Sequence, residues 1–206
     1  MSAVRKAQRK SHHGSARKET IVHAAVGAFS ANGYDATSTR EIAKRAGIEQ
    51  GLLTYHFPNK QALWFAATDH IFDQLNIHID GVLTKLQELT AKERARQGIR
   101  EIVRYLAVHT ELFRFLVDAG NRSDEMMHWL VDTHLKPRFD FMINEGVVNV
   151  RGLDPTIAGH AFFALAGAAS LIFAVAPTCD RLTGIDATQQ AVIDNHAEFL
   201  ANLMVP

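Results

Sequence analysis

The sequence predicts an all-α protein, and three observations support this. Apolar residues recur at spacings of three and four along most of the chain, which is the period of a helix with one buried face. No segment alternates polar and apolar residues as a half-buried strand would. Five prolines and 13 glycines in 206 residues interrupt few segments, and an apolar fraction of 47% suffices for a core, which excludes a disordered or fibrous chain.

The N-terminal part predicts two helices after a basic arm. The arm, residues 1–16, is basic, flexible and without periodicity, and it lacks the apolar core of an export signal, so a cytoplasmic location is expected. The first helix spans about 17–31 and ends at Gly33, which suits the left-handed position after a helix. A second helix begins at Ser38, which is spaced from Glu41 as in a capping box. The apolar face of the first helix comprises Ile21, Ala24, Ala25, Ala28 and Phe29.

Gly47 ends the second helix, and a short third helix runs from about Glu49 to His56. Asn59 caps a long fourth helix, and Pro137 is expected to kink or split a later one. A loop is expected at 177–186. The helices after the third, which bring the total to nine, are expected at about 60–86, 93–108, 110–119, 124–145, 155–176 and 187–204.

The charge is unevenly distributed although its formal total is zero. Residues 1–60 contain 10 Lys and Arg against 4 Asp and Glu, a net charge of +6, and residues 61–206 have a net charge of −6. This indicates that one end of the protein binds a polyanion, and the alternative is a chance clustering of solvated charges. The single cysteine, Cys179, excludes an intramolecular disulfide framework and a Cys-based zinc cluster.

Residues 155–179 contain no Asp, Glu, Lys or Arg, a length that also suits a membrane span. Many of these residues are small, and His160 lies among them, which favours a helix packed closely against another helix. No membrane partner is therefore predicted, and a membrane-anchored protein is kept as an alternative.

Two of the predicted helices, joined by a glycine-containing turn, form a helix-turn-helix unit, whose later helix enters the major groove of DNA. The residues of this unit resemble the DNA-binding segment of the TetR/AcrR repressor family over about fifty of the 206 residues. Glu49 and Thr54 depart from the common pattern of that family. The matching segments are Ala28-Phe29, Gly33-Tyr34, Thr37 to Ile48, Gly51-Leu52-Leu53, Tyr55 to Lys60, and Leu63.

The resemblance implies an N-terminal three-helix DNA-binding domain at 17–57, joined to a C-terminal helical ligand-binding and dimerisation domain at 58–206. The implied protein is a cytoplasmic homodimeric repressor that a small-molecule effector releases from a palindromic DNA operator. A DNA-binding regulator without ligand control and a helical enzyme are the alternatives. No catalytic residue, metal site or cofactor is predicted.

Nine residues are predicted to contact DNA: Thr39, Arg40, Gln50, Gly51, Leu52, Thr54, Tyr55, His56 and Lys60. The amide of Gln50 can bind adenine through two hydrogen bonds, and Leu52 can contact a thymine methyl while Leu53 lies in the core. Tyr55 and His56 are interpreted as backbone contacts, with burial in the core as the alternative for each. Lys60 at a helix N-terminus opposes the helix dipole, which a bound phosphate would relieve.

Two further sets of residues are predicted in the C-terminal domain. Aromatic residues and histidines on several helices are candidates for lining a ligand cavity between helices. The uncharged helix and the last helix are expected to pair with their copies in a four-helix dimer interface. The predicted pocket residues are Tyr105, His109, Phe113, Trp129 and Phe162, and the predicted interface residues are Ala164, Gly167, Ala168, Leu171 and Phe199.

Overall fold

The computed structural model describes residues 2–122, 124–145 and 155–205, and every regular element within these ranges is helical, which confirms the all-α prediction. Residues 1–72 and residues 73–206 form two compact units, with α4 contributing to both. The helices are α1 (Ser2–Ala36), α2 (Thr39–Arg45), α3 (Gln50–His56), α4 (Lys60–Lys85), α5 (Ala91–Val108), α6 (Glu111–Gly120), α7 (Glu125–Leu130), α8 (Lys136–Glu145), α9 (Pro155–Ala174), α10 (Ala176–Thr183) and α11 (Gln190–Met204).

The first unit is built around the apolar face that the sequence predicts for α1. All five residues of that face are buried, and Ile42 of α2 and Leu53 of α3 are buried with them. Gly33 interrupts α1 with φ 75° and ψ 173°, and Gly47 has φ 67° in the turn between α2 and α3. Both conformations favour glycine, so these two positions direct the chain from one helix to the next.

Three helical boundaries differ from the sequence prediction. Residues 2–16 are helical rather than irregular, which fits their content of alanine, lysine, arginine and glutamine and their lack of proline. The loop expected at 177–186 is largely α10, because Pro177 is tolerated in the first turn of a helix. The predicted split near Pro137 takes the form of a π-helical turn at Val131–Leu135, just before the proline.

The core of the second unit lies between α5, α9 and α11. Ile99, Val103, Phe173, Ile193 and Leu200 are buried there. This packing orients one face of α9 and one face of α11 toward α5.

Ion pairs also join α5 to α11. Arg100 donates to both carboxylate oxygens of Glu198, at 2.6 and 2.9 Å, and Arg104 donates to Asp194 at 2.7 Å. The hydrogen bond from Arg100 lowers the pKa of Glu198 to about 2. These contacts, together with the core, fix which face of α11 remains exposed.

Candidate nucleic-acid interface

The N-terminal end of α2 is held by a capping side chain and by a contact to α1. The hydroxyl of Ser38 accepts from the backbone N–H of Glu41 at 3.1 Å, which caps α2 as predicted. The carboxylate of Glu41 accepts instead from Asn32 Nδ2 at 3.0 Å, so the reciprocal half of the predicted capping box is replaced by a contact to α1. No side chain caps α3 at Glu49.

The first turn of α3 and the residue one turn further along present an exposed polar surface. Gln50, Gly51 and Thr54 are exposed, and the side-chain amide of Gln50 donates to Thr39 Oγ1 at 3.0 Å. The hydroxyl of Thr54 donates to the backbone carbonyl of Gln50 at 3.1 Å. This hydrogen bond to α2 orients the exposed amide of Gln50.

The remaining residues of α3 divide between the core and the surface. Leu53 is 1% exposed, which confirms its core placement, whereas Leu52 is only half-buried. Tyr55 is 82% exposed, so the alternative of a core aromatic is wrong. His56 is half-buried with its ring against that of Tyr55, at a centroid distance of 5.3 Å.

Three cations of α2 are exposed, namely Arg40, Lys44 and Arg45. Arg40 was predicted as a contact, whereas Lys44 and Arg45 were not. A Cβ at Gly27 of α1 would lie 2.8 Å from the guanidinium of Arg45, so the missing side chain lets this guanidinium approach α1. The helix that precedes α3 therefore presents three exposed cations.

The structure gives Lys60 partners that differ from the phosphate predicted for it. Its ammonium donates to the carbonyls of Tyr34 at 2.9 Å, Thr37 at 3.1 Å and Asp35 at 3.4 Å, and lies 4.3 Å from the ring centroid of Tyr34. These carbonyls follow the break in α1, where helical partners are missing, and they favour a cation. Lys60 is thus engaged within the first unit, and its contact with a DNA phosphate stays a prediction.

Thr37 is a structural residue that the sequence reasoning missed as such. It is 2% exposed, and its hydroxyl contacts the carbonyls of Gly33 at 2.7 Å and Ala28 at 3.2 Å. The sequence signal for this role is a threonine that directly precedes the capping residue Ser38. Together with Lys60, it satisfies the carbonyls at the end of α1.

The predicted pocket residues belong to the second unit, and ring contacts connect some of them. The rings of Tyr105 and His109 stack at 4.1 Å, and His78 of α4 adds its ring to Tyr105 at 4.5 Å. Burial, with the charge of Glu111, raises the pKa of Tyr105 to about 12. Phe113 is half-buried.

The other two predicted pocket residues have different ring partners. Trp129 contacts His134 at 5.1 Å, and Phe162 contacts Phe139 at 5.5 Å. These contacts connect Phe162 of α9 to α8, and Trp129 of α7 to the π-helical turn. The five predicted residues are therefore distributed over several ring clusters.

Two side chains of α4 that the sequence did not single out have buried polar atoms in the second unit. Asn76 Oδ1 and His78 Nε2 are buried and find no hydrogen-bond partner among the described residues. Buried polar atoms normally have partners, so these two atoms call for a partner such as an ordered water or a ligand. The sequence carries no clear signal for them, because Asp73, Gln74 and Asp80 are also polar residues of this part of α4.

The predicted interface residues lie on the exposed faces of α9 and α11. Leu171 is 51% exposed and Phe199 is 60% exposed, Ala164 and Ala168 are exposed, and Gly167 is half-buried. The described residues of its own chain therefore leave this face of α9 uncovered.

An open apolar groove of about 390 Å³ extends from this face to α10. The groove is lined by Gly167, Ala168, Leu171, Ile172, Val175, Thr178, Cys179, Leu182 and Thr183.

Thr156–Ala174 is long and apolar enough to cross a membrane by length and composition, and 22% of that window is buried.

Within the part of the chain that the structure describes, no three His, Cys, Asp or Glu form a group that could hold a metal ion.

Comparison with known proteins connects the first unit to one family. Residues 21–67 match the family described as "Bacterial regulatory proteins, tetR family". The probable HTH-type transcriptional regulator YttP of Bacillus subtilis is 25% identical over 132 residues, which are 63% of this chain and 64% of YttP. The HTH-type transcriptional regulator RutR of Escherichia coli is 38% identical over 71 residues, which are 34% of each chain. The matches thus span less than two thirds of these relatives.

Solved structures show the same fold over nearly the whole chain. The structure of AibR, in complex with isovaleryl coenzyme A and operator DNA, has a TM-score of 0.70 at 21% identity and covers 92% of this chain and 98% of its own. The regulator FadR from Bacillus subtilis, in complex with stearoyl-CoA, has a TM-score of 0.62 at 22% identity, with coverages of 89% and 97%.

Proposed function

The chain is a member of the tetR family of bacterial regulatory proteins, and from this premise we propose that it is a cytoplasmic DNA-binding transcriptional regulator, a repressor that a small molecule releases from a palindromic operator. The observation that carries the DNA-binding role is the exposed surface of α3, where the amide of Gln50 donates a hydrogen bond to Thr39 of α2, a helix with three exposed cations. An ordered amide next to basic residues is suited to reading bases while the cations bind phosphates.

A palindromic operator follows from a homodimer. One short helix contacts few base pairs, and two copies related by a two-fold axis contact two half-sites. The exposed apolar faces of α9 and α11 supply a surface for such a dimer. We place the DNA-binding domain at 17–57 and the ligand-binding and dimerisation domain at 58–206.

The effector is proposed to bind in the second unit, near Tyr105, His109, Phe113, Trp129 and Phe162. The buried polar atoms of Asn76 and His78 support this site, because an effector would supply hydrogen bonds that the described residues do not. Since α4 runs without interruption from Lys60 to Lys85, it is the element through which effector binding would change the DNA-binding domain. Because AibR is seen with isovaleryl coenzyme A and FadR from Bacillus subtilis with stearoyl-CoA, acyl coenzyme A thioesters are the first class to test.

Binding-site selection tests the DNA-binding proposal. The full chain is incubated with a pool of random-sequence duplexes, and the bound fraction is amplified and sequenced over several rounds. We expect enrichment of a palindrome whose half-sites lie on one face of the duplex. A pool that stays random would overturn sequence-specific DNA binding.

A release assay on the selected duplex tests ligand control. Fluorescence anisotropy is followed while acyl coenzyme A thioesters of increasing chain length, and then unrelated metabolites, are added. One class should raise the Kd at least about tenfold, which requires a coupling free energy of about 1.4 kcal/mol. Selection of a palindrome without release by any compound would favour the regulator without ligand control.

Gln50→Ala should weaken binding to the selected duplex by about 1–3 kcal/mol and relax the base preference at one position of each half-site. The variant removes the amide but leaves the buried Leu53 and the fold unchanged. Gln74→Ala, which removes an exposed glutamine of α4 from the second unit, is the matched control and should bind as the wild type does. A uniform loss of affinity across all duplexes would show that Gln50 reads no base.

Lys60→Met should lower the free energy of unfolding of the chain by about 1–3 kcal/mol, because three carbonyls lose a charged donor. DNA affinity should fall for all sequences alike, while the slope of log K against log salt stays unchanged. Denaturant unfolding and anisotropy in a salt series measure the two effects, with Lys85→Met as the control. A slope that becomes shallower by about 2 in the dimer would instead restore the phosphate contact.

A further inference from the structure

Arg138 of α8 is a half-buried cation in the second unit. Among the residues that the structure describes, its guanidinium forms no hydrogen bond or ion pair, and its Cζ lies 6.0 Å from the ring centroid of Phe141. Burial lowers the pKa of Arg138, and the charge of Asp80 on α4 offsets only part of that effect. Because a guanidinium has five N–H donors in a planar fork, this position favours a planar oxyanion as a partner.

Other arginines of the second unit differ from Arg138 in having a carboxylate partner. Arg100, Arg104 and Arg122 are also half-buried, and each donates to an Asp or Glu oxygen at 2.6 to 2.8 Å. Removing a cation from water costs free energy that such a pair offsets. An arginine that is half-buried without this compensation is therefore a candidate for binding an anion from outside the chain.

Asp80 identifies the side of α4 whose charge acts on Arg138. At about 100° per residue, Asn76 and Asp80 lie on the same flank of the buried face of α4 that Leu75 and Leu86 define. Asn76 Oδ1 is buried and has no hydrogen-bond partner among the described residues. This flank of α4 therefore offers a polar atom for a ligand bound near Arg138.

Two features of α8 also favour a ligand at this position. The π-helical turn at Val131–Leu135 lies just before Arg138, and such turns are rare and frequent at functional sites. One helical turn beyond Arg138, Met142 is buried in an apolar cluster that Phe139 and Phe162 join. An anion bound by Arg138 would therefore lie near an apolar surface, which suits an acid with an apolar body.

We propose that Arg138 binds the carboxylate of an organic acid with an apolar body, and that this acid is the effector of the second unit. The inference rests on the proposed function and narrows the class of its effector. Arginine binds a carboxylate through two parallel hydrogen bonds. One guanidinium with Asp80 nearby suits a single negative charge, whereas the several phosphate charges of coenzyme A would require more cations. The free acid, rather than its coenzyme A thioester, is the expected ligand.

A screen with matched compounds tests the site. The full chain is mixed with straight-chain carboxylic acids of increasing length and with aromatic acids, each beside its primary amide and its coenzyme A thioester. An acid should raise the melting temperature while its amide does not, because the amide has no charge for Arg138 to bind. Isothermal titration calorimetry then gives the Kd of that acid.

Three variants identify the residue that binds the acid. Arg138→Gln removes the cation and should raise the Kd of the acid about 10- to 100-fold. Arg138→Lys keeps the charge without the parallel donors and should raise the Kd less. Arg96→Gln, at a half-buried arginine of α5, is the matched control and should bind the acid as the wild type does. Without ligand, Arg138→Gln should melt no lower than the wild type, because it removes a half-buried charge.

Several results would overturn this assignment. One is a screen in which no acid stabilises the wild type more than its amide does. Another is an acid that binds Arg138→Gln as tightly as the wild type. Binding of the thioesters alone, lost in Arg138→Gln, would replace the carboxylate by a phosphate. Failure of the wild type to select any duplex would contradict the proposed DNA-binding function and not this site, since melting and calorimetry need no DNA.

Discussion

The affinity of the chain for its selected duplex should fall about 10⁴-fold between about 50 and 200 mM potassium chloride. This follows if each of two DNA-binding domains neutralises about four phosphates, which gives a slope of log K against log salt near −7. The net charge of +6 on residues 1–60 motivates the estimate, and Arg40, Lys44 and Arg45 of α2 are exposed.

The measurement is an anisotropy titration at five or more salt concentrations. Lys92→Gln, which removes an exposed cation of α5 in the second unit, is the control and should leave the slope unchanged. Lys44→Gln should make the slope shallower by about 2, one contact for each half-site. A slope near zero in a well-behaved titration would exclude phosphate binding as the role of the basic N-terminal segment.

The parts of the fold that the sequence predicts correctly depend on neighbouring residues. The buried face of α1, the cap of α2 at Ser38 and the burial of Leu53 each follow from spacings of one to four residues within a helix. Gly33 and Gly47 could be recognised because positive φ angles favour glycine whatever the surroundings are.

The parts that the sequence misses depend on distant residues. The partners of Lys60 lie 23 to 26 positions away, and local helix electrostatics alone predicted a phosphate in their place. The carboxylate of Glu41 could reach back to Ser38 or across to Asn32, and only the packing of α1 on α2 decides between them. The ring of His78 meets that of Tyr105 only when α4 and α5 are placed together, so its burial has no local signal in the sequence.

Ala168→Arg should convert the proposed homodimer into a folded monomer. The exposed face around Ala168 contains large apolar side chains that a soluble chain would cover: Phe163 is 67% exposed, Leu171 51%, Phe199 60% and Leu203 61%. Two copies of α9 and α11 could bury them around a two-fold axis. A charge placed in the centre of such an interface would lose its hydration without gaining a partner.

The substitution is designed to leave the fold of one chain intact. Ala168 is exposed, and its contact to α11 is made by its backbone carbonyl, which accepts from His196 Nε2 at 2.8 Å and persists in the variant. Ala91→Arg, at an exposed alanine of α5, is the matched control. Analytical ultracentrifugation at micromolar and nanomolar concentrations, with thermal unfolding, measures assembly and stability.

The outcomes separate three explanations of the exposed face. A folded monomer with weakened binding to the palindromic duplex supports the dimer, because each copy then contacts one half-site alone. A dimer that persists at nanomolar concentration with unchanged melting would show that α9 lies outside the interface. Recovery of the wild type in the membrane fraction would favour the membrane-anchored alternative for Thr156–Ala174.

An obligate dimer could also unfold when it is disrupted, so Leu203→Lys, at the edge of the same face on α11, provides a second and milder variant. Its longer side chain can keep the ammonium in water, and the dimer should then dissociate at a higher protein concentration than the wild type without loss of the fold.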